Sequence, residues 1–133
     1  MDTGKVRFVY RHLTVIGPES VRSAEASECA SDQGKFWEYH DVLFLNWAGE
    51  NAGGFSDANL KSFAGRVGLD AAAFVACLDG GQHADLVRQD TGKGNALGVR
   101  STPTIFVNNT MLAGLADYSV YKRFIEQALQ QKP

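Results

Sequence analysis

The sequence predicts a helix-rich α/β domain, and three observations carry that prediction. The 133 residues include 44% apolar and 21% charged side chains, the size and composition of one globular core. Apolar residues recur at helical spacing through most of the middle of the chain. β-forming runs stand at two places, Val6 to Tyr10 near the start and Thr104 to Leu115 after Thr102-Pro103. The order read from the sequence is therefore strand, several helices, hairpin, helix, without a visible linker.

Val6-Arg7-Phe8-Val9-Tyr10 follows the turn-like Asp2-Thr3-Gly4-Lys5 and reads as a strand. Gly17-Pro18-Glu19-Ser20 opens the first helix, with Pro18 in its first turn, and Gly34 stops it near Gln33. Lys35 to Asn46 is amphipathic: Phe36, Trp37, His40, Leu43, Phe44 and Trp47 recur at helical spacing and are expected to pack in the core. Glu50 to Phe55 reads as loop. Ser56 and Asp70 then cap helices through Val67 and Leu78, and Gln82 to Leu97 forms another, weakened by Gly92 and Gly94.

Pro103 has no N–H to give a sheet ladder, so it marks the entry to the strand Thr104 to Val107. X-Pro is also the kind of peptide bond that is cis at appreciable frequency. Asn108-Asn109-Thr110 supplies the turn to Met111–Leu115; it also matches a glycosylation acceptor, although the turn alone accounts for it. Asp117 starts the last helix, in which Val120, Tyr121, Phe124, Ile125, Ala128 and Leu129 form an apolar face.

A formal charge of −2 with acids and bases interleaved gives no basic stripe for phosphates, so no nucleic-acid partner is expected. No apolar run approaches the roughly 20 residues that span a bilayer, and MDTGKVRFVY lacks the pattern of a signal peptide. As written, the chain is expected in the cytoplasm, away from membranes.

Cys29 and Cys77 both sit on helical patterns and lie too far apart for a Cys-x-x-Cys motif. Two readings stand: buried small hydrophobes, or a structural disulfide, which an oxidising compartment would permit. A bridge would close a loop of roughly 49 residues, worth about 4 kcal/mol in the chain-entropy model. Neither cysteine stands at a helix N-terminus or beside a cation that would favour a thiolate. His12, His40 and His83 show no ligand spacing with the cysteines, so no metal and no cofactor are expected. His40 reads as a hydrogen-bonded core histidine and Asp41 as a solvated helix charge. Gly92-Lys93-Gly94 lacks the preceding strand and the Lys-Ser/Thr of a phosphate loop.

With Lys35-Phe36-Trp37-Glu38-Tyr39-His40-Asp41 in the middle and Thr102-Pro103-Thr104 before a hairpin, the chain resembles the DsbA-like thiol-disulfide oxidoreductases of the thioredoxin superfamily. The resemblance covers nearly the whole chain as one domain, 1–133. It implies a thioredoxin-like fold with a helical insertion at about 19–97 and a closing strand-strand-helix unit at about 98–130. Val6 to His12 corresponds to the family's second strand. Ser101, Thr102, Pro103 and Thr104 correspond to the loop whose cis proline lies against the active-site disulfide and meets substrate.

The family's Cys-x-x-Cys helix and central first strand have no counterpart in these residues, so no catalytic residue is assigned. Val6 to Tyr10 would then lack its neighbour, and strand edges left open invite association. Two repairs are expected: direct pairing with the hairpin, or a homodimer that completes the sheet or covers the exposed apolar faces. On this basis the chain is expected to be a binding or assembly module for peptide or protein, without redox catalysis of its own. The alternative is the C-terminal portion of an active oxidoreductase whose Cys-x-x-Cys lies upstream of Met1, which would act outside the cytoplasm. A weaker third reading is glutathione conjugation beside the same proline.

Overall fold

The computed structural model describes residues 3–131; Met1 and Asp2, the start of the expected Asp2–Lys5 turn, lie outside them. The chain divides into two compact units, one of residues 12–92 and the other of residues 1–11 together with 93–133.

The first unit is helical: α1 (Pro18–Ser31), α2 (Phe36–Leu45), α3 (Asp57–Arg66), α4 (Ala71–Asp79) and most of α5 (Ala84–Ala96). Pro18 fits the first turn of α1 because its missing N–H would have no helical acceptor there. The chain turns into α2 through Gly34, whose φ of 72° favours glycine. Small residues, Ala24, Ala26, Ser27, Cys29 and Ala30, line the buried side of α1. They let α1 pack closely against α2, α3 and α4.

Around them Tyr39, Leu43, Leu60, Phe63, Phe74, Cys77 and Leu78 make one apolar cluster. Tyr39 is fully buried, its ring centroid 5.4 Å from that of Phe74. Its hydroxyl donates to the Leu60 carbonyl at 2.9 Å, which satisfies the one polar atom the ring takes into the core. Burial raises the Tyr39 phenol above its ordinary range.

The aromatic stripe of α2 differs from expectation. Tyr39 and Leu43 face the core, whereas Trp37, Phe44 and, just beyond the helix, Trp47 are 49%, 69% and 63% exposed. Helical periodicity allows more than one apolar face, and the small-residue side of α1 admits the one bearing Tyr39 and Leu43.

Arg22 fastens the helices from the rim of the core. Its Nε and Nη2 donate to both carboxylate oxygens of Asp57 at 2.9 and 2.8 Å, at the start of α3. Its Nη1 donates to Glu25 at 2.7 Å and to the Leu78 carbonyl of α4 at 3.1 Å. The paired guanidinium holds the Asp57 carboxyl below the usual carboxylate range. Asp70 caps α4 by accepting from the Ala73 N–H at 2.9 Å. Ser56 occupies the N-cap position of α3 without a side-chain cap.

Residues 12–14 are strapped across this unit. His12 Nε2 and Glu28 Oε1 are 2.7 Å apart, the His12 N–H donates to Asp90 at 3.3 Å, and the Thr14 N–H donates to Thr91 Oγ1 at 3.0 Å.

In the second unit β1 (Thr104–Val107) and β2 (Thr110–Ala113) form an antiparallel hairpin, pairing Thr104 with Ala113 and Val107 with Thr110. Asn108, at φ 52°, makes the turn. α6 (Tyr118–Gln130) packs on β1. The expected strand at Val6–Tyr10 is not formed: among the described residues the sheet has two strands, β1 and β2, and residues 6–10 carry no regular structure. β-forming side chains stabilise a strand through cross-strand neighbours, and among the described residues the sheet ladder joins β1 to β2. The expected direct pairing of this segment with the hairpin therefore does not occur.

Candidate functional site

The Ser101–Thr104 loop follows the end of α5 and enters β1. The Val99 N–H donates to the Gly94 carbonyl at 3.0 Å, which closes the helix. At the far end the Gly114 N–H donates to the Pro103 carbonyl at 2.8 Å, so the proline lacks a donor but still joins the hairpin through its acceptor. Thr104 Oγ1 donates to the Ser101 carbonyl at 2.7 Å and folds the loop on itself. Between these anchors Ser101, Thr102 and Pro103 are exposed, and the Thr102–Pro103 peptide is cis. The result is a short backbone shelf, fixed at both ends and bare on top.

The second feature belongs to the helical unit. Cys29 of α1 and Cys77 of α4 form a disulfide, their Cα atoms 5.9 Å apart. Both residues are buried, at 1% and 5% exposure. Sequence alone left this pairing open; the packing of α1 on α4 decides it.

The histidines divide. His83 stands beside the disulfide, with Nε2 2.7 Å from Asp32 Oδ2. His12 is buried against Glu28. His40, expected in the core, is only partly buried, its Nδ1 3.0 Å from Asp41 Oδ1 and its ring 4.6 Å from that of Phe44. It lies on the outer side of α2, one residue beyond the buried Tyr39. Lys93, with Gly92 and Gly94, lies inside α5, where no phosphate loop can form. The proximity of His83 and Asp32 to the sulfurs has no local signal in the sequence, because the two are 51 positions apart.

The family model described as Thioredoxin matches residues 1–127. Among curated proteins, the chain is 27% identical over 135 residues to disulfide bond formation protein D of Bacillus subtilis (strain 168), across 99% of this chain and 61% of that protein. It is 37% identical over 109 residues to Na(+)/H(+) antiporter NhaA 1 of Salinispora arenicola, across 80% of this chain but only 16% of that protein. The chain thus spans less than two thirds of these relatives. No helix among the described residues is long and apolar enough to cross a membrane. In fold, the chain superposes on the crystal structure of oxidised BdbD from Bacillus subtilis with a TM-score of 0.84 at 27% identity, covering 98% of this chain and 72% of that one.

These findings overturn the expectation of a binding or assembly module devoid of redox chemistry. The chain carries a disulfide of its own, Cys29–Cys77, and its near-full-length likeness is to a protein named for disulfide bond formation. Missing Cys-x-x-Cys spacing is a poor guide here because it reports one local motif, whereas the fold is a property of the whole chain. The match over residues 1–127, joined to the BdbD fold, shows that the chain belongs to the thioredoxin family, among its DsbA-like oxidoreductases.

Proposed function

We propose that this domain serves protein thiol–disulfide exchange, as part of a protein that forms disulfide bonds, and that Ser101–Thr104 is the edge on which the substrate polypeptide lies. The observation that carries the reading is the likeness to disulfide bond formation protein D over 99% of the chain. The loop adds physical support. Exposed backbone held rigid at both ends can receive an extended segment at little ordering cost, and the small Ser101 and Thr102 side chains leave room for it. The activity is that of the whole protein, of which relatives are longer than this chain. The Cys29–Cys77 bond supports an oxidising compartment, outside the cytoplasm. Its burial favours a structural role under oxidising conditions, with reduction confined to local openings that let a thiolate reach a sulfur.

The test is oxidation of a reduced, unfolded substrate protein by the natural polypeptide that carries this domain. Turnover is expected, and Thr102→Arg should lower it about tenfold or more by displacing the bound segment, with an unchanged melting temperature because Thr102 is exposed. Absence of turnover, or an unaffected Thr102→Arg variant, contradicts the proposal.

The same reading takes a second copy of the chain as a partner. Phe8 and Val9 are 53% and 46% exposed on a segment outside the two-stranded sheet, an apolar surface that pairing would cover. Light scattering at micromolar concentration should give twice the 14.4 kDa of one chain; a monomer mass removes the dimer.

A further inference from the structure

The surroundings of the Cys29–Cys77 bond contain more chemistry than a structural crosslink uses. Cys29 Sγ, Cys77 Sγ and a ring nitrogen of His83 all lie within 4.8 Å of one another. They come from α1, α4 and the turn that precedes α5, so three separate elements converge on one point. Asp32, at the C-terminal end of α1, closes the outer side: its Oδ2 is 2.7 Å from His83 Nε2 and 3.8 Å from Cys77 Sγ. The cysteines are buried, the His83 side chain is 18% exposed, and Asp32 stands half-open to solvent at 51%. Two sulfurs and an imidazole, dry on one side and reachable on the other, with a carboxylate hydrogen-bonded to the imidazole, form the donor set of a zinc-type cation that keeps one position for solvent.

We propose that, once its disulfide is reduced, this cluster is a binding site for one Zn²⁺-class divalent cation, held by Cys29, Cys77 and His83, with Asp32 orienting the imidazole. The reducing step consumes a dithiol. Two electrons and two protons pass to the pair, the bond between the sulfurs breaks, each sulfur becomes a thiol, and the donor closes into its own disulfide. The cation then displaces both thiol protons to solvent and forms two metal–sulfur bonds, while His83 adds a ring nitrogen held in place by Asp32. Tetrahedral zinc with metal–sulfur bonds of about 2.3 Å places its two sulfurs nearly 4 Å apart. Rotation of two short side chains on Cα atoms 5.9 Å apart supplies that opening without moving α1 or α4. In the oxidised chain the sulfurs are bonded to each other and the thiolate ligands do not exist. Oxidation and metal binding therefore exclude one another, and the helical unit keeps a crosslink between α1 and α4 in either state.

The experiment uses the whole chain. A trialkylphosphine reduces it without leaving a competing thiol, two electrons passing to the disulfide as the phosphine takes up oxygen from water. After anaerobic desalting the protein is titrated with Zn²⁺ against a chromogenic chelator, and separately with Co²⁺. The expected result is one equivalent bound by reduced protein, with Co²⁺ giving thiolate charge-transfer absorption and tetrahedral visible bands, and no such binding by oxidised protein. His83→Gln and Asp32→Asn leave the oxidised fold intact and should weaken binding by the reduced chain at least about tenfold. Should the reduced chain lose helicity without metal, circular dichroism is expected to show it refolding as Zn²⁺ is added. Equal binding by oxidised and reduced protein, an undiminished His83→Gln variant, or a reduced chain that neither binds nor refolds overturns the proposal.

Discussion

Replacing Cys29 and Cys77 together by alanine is expected to lower the unfolding free energy of the chain by about 4 kcal/mol. The bond joins residues 48 positions apart, so without it the unfolded chain regains the freedom of a long loop while the folded state changes little. The closed loop contains α2, α3 and part of α4, which is most of the apolar cluster. A domain of this size has a stability on the order of 5–15 kcal/mol, so the loss is a large fraction of the whole. Urea unfolding followed by circular dichroism checks it. A fall in midpoint of roughly 2 M is expected at a typical slope for small proteins. A midpoint within about 0.3 M of the parent would mean that α1 and α4 are held by packing alone.

Phe74→Ala is the second large effect, expected to cost about 3–5 kcal/mol. Phe74 is fully buried and its ring lies 5.4 Å from the Tyr39 ring, with Leu60 and Leu78 in the same cluster. Removing the ring leaves a cavity walled by helices that cannot collapse into it freely, because the disulfide and Arg22 both fix α4 to α1. Its neighbour in sequence supplies the control: Ala73→Ser, on the exposed side of α4, should change stability by no more than about 0.5 kcal/mol. A Phe74→Ala loss below about 1 kcal/mol would show that the centre of the core has been misplaced.

The helices were legible because their ends carry local chemistry. Pro18 at the start of α1, Asp70 capping α4, and Gly34 beyond α1 each act within one turn of chain, so the sequence window contains the whole cause. Thr102-Pro103 ahead of β1 was visible for the same reason, and with it the loop. What could not be read depends on partners far away in sequence. Val6–Tyr10 has β-forming side chains, but a strand exists only where another offers its ladder. The aromatic stripe of α2 fixed a periodicity without fixing which side met α1, and Tyr39 took the inner place instead of Phe44 and Trp37. The Cys29–Cys77 pairing and the approach of Asp32 and His83 come from α4 crossing α1, a contact with no signature inside either segment. The same limit explains the misjudged function: redox kinship was sought in a short cysteine spacing, while it resides in the fold as a whole.

The central claim is that a substrate polypeptide of a disulfide-forming protein lies on Ser101–Thr104. The direct measurement places a photo-crosslinking side chain on a cysteine-containing unfolded substrate, irradiates it with the natural polypeptide, and maps the attachment by mass spectrometry. Attachment concentrated at residues 101–104, and lost on adding excess unlabelled substrate, is the predicted result. Attachment spread over the surface, or gathered on the helical unit with the loop unmarked, would contradict it.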